Sequence, residues 1–148
     1  MKVIQKSILL ITALIVLSLS ACAPQEDTLK DGYYNAQLAE YSHGWKEFIT
    51  IMVKDGKIVT VEYNAKNESG FIKSWDNTYM QTMLSIQGTY PNEYTRYYAS
   101  QLVGATDVVE IDAISGATSS YLTFQKLMEA AIEQSKKEDS TLAIVPVQ

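Results

Sequence analysis

Asp55-Gly56 stands between two runs, Trp45 to Val53 and Lys57 to Tyr63, that are rich in β-branched and aromatic residues. An Asp-Gly pair tolerates positive φ at both positions, which a two-residue turn needs to follow the twist of paired strands. The first run alternates, with Phe48, Thr50 and Met52 on one side and Ile49, Ile51 and Val53 on the other. That period of two predicts a strand with one buried face. Asp31-Gly32 opens a similar run from Tyr33 to Tyr41, and Ser42-His43-Gly44 reads as the turn between them. The domain therefore opens as an antiparallel meander of about three strands.

From Ser74 onward the period lengthens. Trp75, Tyr79 and Met83 recur every fourth residue, flanked by Met80 and Leu84, and Gly88 stops the helix they predict. Pro91 suits the first turn of a second helix, with Tyr94, Tyr97, Tyr98 and Leu102 on one side and Gly104 at its end. Val108 to Ile111 reads as a short strand and Asp112 to Thr118 as a loop. A last helix carries the stripe Tyr121, Phe124, Leu127, Met128, Ala131 and Ile132, ending at Lys136-Lys137, which suits the helix dipole. Residues 138–148 read as a tail with a stray strand at Leu142 to Val145. The fold class is α+β: a small antiparallel sheet, the meander plus a later strand, with about three helices.

The first residues belong to a different regime. Lys2 and Lys6 precede an apolar run from Ile8 to Leu19, too short to span a bilayer comfortably. It ends in Leu19-Ser20-Ala21-Cys22, the lipoprotein form of a signal peptide, in which the thiol takes a lipid before cleavage leaves Cys22 as the new N-terminus. Cys22 is the only cysteine in the chain, so it has no disulfide partner. An ordinary signal peptide with an incidental cysteine is the alternative. The organisation expected is a leader over 1–21, a lipid-anchored tether over 22–31, a domain over 32–137 and the tail. The location expected is the extracytoplasmic face of the cell membrane.

Loss of residues 1–21 removes two lysines and leaves 127 residues with ten basic against seventeen acidic side chains, net −7. A domain of that balance lacks the basic face that phosphate backbones require, so nucleic acid is excluded as a partner. The single histidine, His43, cannot build a metal cluster, and no second soft ligand exists away from Cys22. No nucleophile elbow surrounds any serine.

The segment that carries chemistry is Asp112-Ala113-Ile114-Ser115-Gly116-Ala117-Thr118. One reading makes it a turn and an N-cap, among the commonest uses of Ser, Thr and Gly before a helix. Gly104-Ala105-Thr106 shows how little Gly-Ala-Thr means alone. The other reading uses the same geometry: free N–H groups and the positive dipole end suit a phosphate, Gly116 permits close approach, and Thr118 brings a hydroxyl to the phosphate.

Asp112, Ser115, Gly116, Ala117 and Thr118 together resemble the flavinylation motif of the FMN-binding domain, Asp-x-x-Ser-Gly-Ala-Thr. That domain is found in the C subunit of sodium-pumping NADH:quinone reductases, the G subunit of Rnf complexes and extracellular electron-transfer lipoproteins. At average residue frequencies five such positions coincide by chance about once in 10⁶ sites. Three further stretches are similar to the family: the Asp-Gly-Tyr-Tyr opening, the Val-Lys-Asp-Gly-Lys-Ile hairpin, and Asn67-Glu68-Ser69-Gly70, which resembles an Asn-Glu-Thr-Pro-Gly loop with Ser for Thr and no Pro.

The resemblance implies FMN as cofactor, carried on Thr118 through a phosphoester, with Ser119 and the loop Asn67, Glu68, Ser69 and Gly70 contributing to the site. It also implies an exported flavin transferase that uses FAD, a membrane electron donor and an acceptor beyond it. The expected function is extracytoplasmic electron transfer. The alternatives are a lipoprotein that binds FMN or another phosphate ligand without a bond or redox role, and a structural or adhesive lipoprotein in which Ser115–Thr118 only caps a helix. Trp45, Trp75 and Tyr79 are candidates to stack on the flavin, with core packing the commoner use. Lys66 and Lys73 are candidates for its phosphate or its reduced ring, with a solvated surface the commoner use. His43 is a candidate at the flavin edge, with an exposed turn the commoner setting.

Overall fold

Asp55 and Gly56 both take positive φ, 52° and 69°, as a type I′ turn requires. In the computed structural model, which describes residues 27–147, they join strand β2 (Lys46–Lys54) to β3 (Lys57–Lys66). Strand β1 (Gly32–Leu38) pairs antiparallel with β2 on the other side, Gly32 opposite Val53 and Gln37 opposite Phe48. The meander is thus as the alternation predicts. The leader and Cys22 lie outside the described residues.

The fourth strand is β4 (Ala143–Val145), which pairs parallel with β1, giving a mixed sheet of order β3-β2-β1-β4. It falls within the stray strand expected at Leu142 to Val145, so residues after Lys137 complete the sheet. Val108 to Ile111, expected to be a strand, forms none. Only Ile111 of that run is buried, and the backbone beside it bonds a side chain instead of a ladder. The Asp112 N–H donates to Gln101 Oε1 at 2.8 Å. Leu29 is buried, and the Lys30 carbonyl accepts from Ser135 Oγ at 3.0 Å.

Three helices follow the meander, and the second and third pack on one face of the sheet. The first, α1 (Asn77–Gln87), begins later than its periodicity suggests. Lys73–Trp75 form a 3₁₀ turn, and Asp76 then caps α1 by accepting the Tyr79 N–H at 2.9 Å. Trp75 therefore sits off the helix and is 67 % exposed. Gly88 ends α1 in the left-handed conformation. Helix α2 (Pro91–Leu102) starts on its proline, and α3 (Thr118–Lys136) carries the stripe read from the sequence.

Ile49, Ile51 and Val53 of β2 point into the core, where they meet Phe124, Leu127, Met128, Ala131 and Ile132 of α3 and Tyr94, Tyr98 and Leu102 of α2. Phe124 packs edge-on against Tyr63, centroids 4.8 Å apart, and lies 5.7 Å from Tyr98. That geometry adds ring electrostatics to area burial. Phe124→Ala should lower the unfolding free energy by about 3–5 kcal/mol. The control Leu122→Ala, half exposed two residues away on the opposite side of α3, should stay within about 0.5 kcal/mol. Chemical denaturation measures both.

Candidate functional site

Helix α3 starts without a side-chain cap. Its N-cap residue is Ala117, whose side chain offers no acceptor, and Thr118 is its first helical residue. The serine and threonine of the loop therefore do not cap it, and the N–H groups of the first turn have no intrahelical acceptors. Thr118 and Ser119 are exposed, as are Asp112 and Ser115, whereas Ala117 and Ser120 are buried.

Two contacts fix the turn that delivers Thr118. The Ala117 N–H donates to the Ile114 carbonyl at 3.1 Å, with Gly116 at φ 84° in the position that a type II turn reserves for glycine. The Tyr98 hydroxyl spans this turn, accepting from the Ile114 N–H at 3.2 Å and donating to the Ala117 carbonyl at 3.4 Å. Gly116 also lies against the last residue of α1: a Cβ there would stand 2.2 Å from the Gln87 carbonyl oxygen. The glycine is needed for conformation and for contact at once.

Beneath the first turn of α3 is a cavity of about 320 Å³, lined by Glu47, Lys73, Tyr79, Ser119, Ser120 and Thr123, with His43 at its rim. His43 is exposed in the turn before β2, as its surroundings suggest. Glu47 Oε1 accepts from Ser120 Oγ at 3.1 Å, and Glu47 Oε2 lies 2.5 Å from the Tyr63 hydroxyl oxygen. The same hydroxyl lies 2.8 Å from the Ser120 carbonyl. A phenol has one proton. If Tyr63 gives it to the Ser120 carbonyl, the short contact to Glu47 needs a proton on the carboxyl. Burial acts in the same direction, pushing the Glu47 pKa up despite its hydrogen bonds to Tyr63, Ser120 and Thr123 and the nearby Lys73 charge.

Lys73 is only 9 % exposed. Its ammonium lies 4.9 Å from the centre of the Tyr79 ring and 5.9 Å from that of Trp45, two rings packed edge-on at 6.0 Å. Burial pulls its pKa down, but the phenols of Tyr94 and Tyr79 and the Glu47 carboxyl more than offset this, so Lys73 stays charged. Among the described residues it forms no ion pair. Lys66 instead lies over the Phe48 ring.

The loop Asn67–Gly70 closes on itself. Asn67 Oδ1 accepts from the Ser69 N–H, the Ser69 hydroxyl and the Phe71 N–H, at 3.0, 2.8 and 2.9 Å. None of its four residues lines the cavity. A bridge between Lys66 and Ile72 closes its base and leads straight into Lys73. A larger groove of about 500 Å³ lies between β3 and α2, where Trp75 resides, and includes no residue of the 112–118 segment.

Glu47, Tyr63 and Ser120 were not singled out as site residues by sequence reasoning. One signal was present: Glu47 falls in the inward phase of β2, with Ile49, Ile51 and Val53, where an acid is out of place.

The site is thus an anion-accepting helix terminus with an exposed threonine hydroxyl, set above a cavity that holds one buried cation and a carboxyl. The fold is that of a small α+β domain, and the family follows. Residues 44–133 match the FMN-binding domain, so the chain belongs to that family and its cofactor is FMN. A 15 kDa lipoprotein of Treponema pallidum is 28% identical over 127 residues, covering 85% of this chain and 89% of the relative. A Clostridium perfringens protein of known crystal structure is 34% identical with a TM-score of 0.76, over 81% of this chain and 99% of that one.

Two outcomes follow. Gly116→Ala should cost about 2–4 kcal/mol by chemical denaturation, from left-handed strain plus overlap with the Gln87 backbone. For Glu47, a raised folded-state pKa means that its contribution to stability is complete below the ordinary value of 4.5 and is lost as pH rises through the folded value. Glu47→Gln cannot ionise, so its unfolding free energy relative to the parent should increase as pH rises above 4.5. A difference independent of pH would show that Glu47 is not held protonated.

Proposed function

We propose that the chain is a membrane-anchored, extracytoplasmic flavoprotein that carries FMN as a phosphoester of Thr118 and passes electrons between a membrane donor and an external acceptor. The observation that carries this reading is the exposed Thr118 hydroxyl at the uncapped N-terminus of α3. The leader ending at Cys22 supports export and lipidation, and the Treponema relative is itself described as a lipoprotein.

The residues present fit a phosphoester at this point. Backbone N–H groups and the dipole of α3 would face it, and among the described residues no side chain caps them. Attachment would proceed in a transferase bound to this chain. Thr118 Oγ attacks the FMN-side phosphorus of FAD, a new P–O bond forms, the pyrophosphate P–O bond breaks and AMP leaves. The hydroxyl proton passes to a base of the transferase. The exposure of Thr118 suits an enzyme that must reach it. When bound, the flavin supplies reversible uptake of electrons; the chain holds its phosphate, shields its ring and sets its potential. A covalent bond also retains FMN outside the cytoplasm, where released cofactor would be lost.

Production of residues 22–148 beside an exported flavin transferase, followed by denaturation, tests the bond. The intact mass should increase by one FMN less one water, with in-gel flavin fluorescence, and Thr118→Ala should abolish both. An unmodified parent, with the transferase active on another acceptor, would overturn the covalent reading. FMN titration of the unmodified protein would then show whether a non-covalent site exists.

A further inference from the structure

Lysine is among the residues least often fully buried, and when buried it is normally paired. Lys73 departs from that pattern. It is buried at the wall of the 320 Å³ cavity, it lies against two aromatic rings, and among the described residues no carboxylate forms an ion pair with it. The acid that lines the cavity, Glu47, accepts from Tyr63 and Ser120. The ammonium therefore stands at the cavity without an ion-pair partner among the described residues, with Glu47 acting on it only at longer range. It opens beside Ser119 and Ser120, the residues immediately after Thr118.

We propose that Lys73 is the counter-charge for the reduced flavin ring, so that this chain binds reduced FMN more tightly than oxidised FMN and the side chain raises the flavin's potential. The inference rests on the reading that places FMN at Thr118. It follows from how charge is distributed in the cofactor. The phosphate carries its charge in both redox states and faces the N–H groups of α3. The ring is neutral when oxidised, and after uptake of two electrons and one proton it is an anion with the charge spread over N1 and the C2 carbonyl. A fixed cation beside that edge favours the reduced state. Tyr79 and Trp45 form an aromatic wall beside the ammonium, which matches a flat ring better than a phosphate.

The test compares the flavinylated parent with Lys73→Met and Lys73→Arg by spectroelectrochemical titration at constant pH, with thermal unfolding of each as a control for folding. Met keeps the length of the side chain and removes its charge; Arg restores the charge. Loss of the charge should weaken the preference for the reduced ring by about tenfold, which lowers a two-electron midpoint by about 30 mV. Lys73→Arg should recover most of that shift. A folded, flavinylated Lys73→Met with an unchanged midpoint overturns the proposal. So does a variant that loses flavin occupancy while its remaining flavin keeps the parental midpoint, which would assign Lys73 to the phosphate.

If the parent carries no covalent flavin, the reading at Thr118 fails on that result alone. The proposal is then tested by titrating free oxidised and reduced FMN into the same three proteins, where the ratio of the two affinities should decrease tenfold in Lys73→Met. An unchanged ratio, or no binding of either form, overturns it.

Discussion

The Tyr63 hydroxyl lies between an acid on β2 and the first turn of α3, within 2.5 Å of Glu47 and 2.8 Å of the Ser120 carbonyl. Its ring packs under Phe124, so the same residue fixes the helix laterally through the core and axially through its hydroxyl. Apolar packing alone would let α3 slide along the sheet, because area burial has no direction. Hydrogen bonds to buried partners do have direction, and a misplacement that broke them would leave polar groups without partners at a cost of about 1–3 kcal/mol each. The position of Thr118 is inherited from that register. Tyr98 repeats the device one layer away: its ring lies against Phe124 and Tyr121 while its hydroxyl spans the turn from Ile114 to Ala117.

Helix α1 contrasts with this anchored region. It has no charged residue and buries none of its residues. It is held by the Asp76 cap, by the contact of Gln87 with Gly116, by Met83 against the edge of the core and by Tyr79 against Trp45. Few buried contacts place a segment at the low end of local stability. Tyr79 projects from α1 into the cavity wall, so the least anchored helix forms one side of the site and the most anchored helix the other. Gly116 couples the two, because the turn that presents Thr118 is also the surface on which α1 ends.

Much of the fold was legible because its signals are local. The Asp55-Gly56 turn, the proline that opens α2, the glycine that ends α1 and the stripe of α3 each depend on a few neighbouring residues. What was not legible depends on distant partners. Val108 to Ile111 has the composition of a strand, yet the place beside β1 is occupied by Ala143–Val145, and composition does not say which of two short runs will reach an edge. Trp75 follows the helical period of Tyr79 and Met83, but Asp76 resets the start of the helix beyond it. The segment from Asp112 to Thr118 was legible as a motif, whereas its capping role was not fulfilled, since the N-cap position fell on Ala117. The residues beneath it were hidden because Glu47 looks like any charged strand residue until its phase is compared with that of Ile49 and Ile51.

The division of work within the site follows from the two kinds of group it uses. Backbone N–H groups are numerous, fixed and insensitive to sequence beyond the need for glycine at 116; in the proposed site they would face a phosphate whose charge does not change. Side chains are few and specific, and in that site they would line the cavity where charge does change. Glu47, its pKa pushed up by burial, joins the sheet to α3 by accepting from Ser120 and Tyr63, beside the Lys73 ammonium. One hydrogen-bonding arrangement thereby serves both the placement of the helix and the electrostatics of the site.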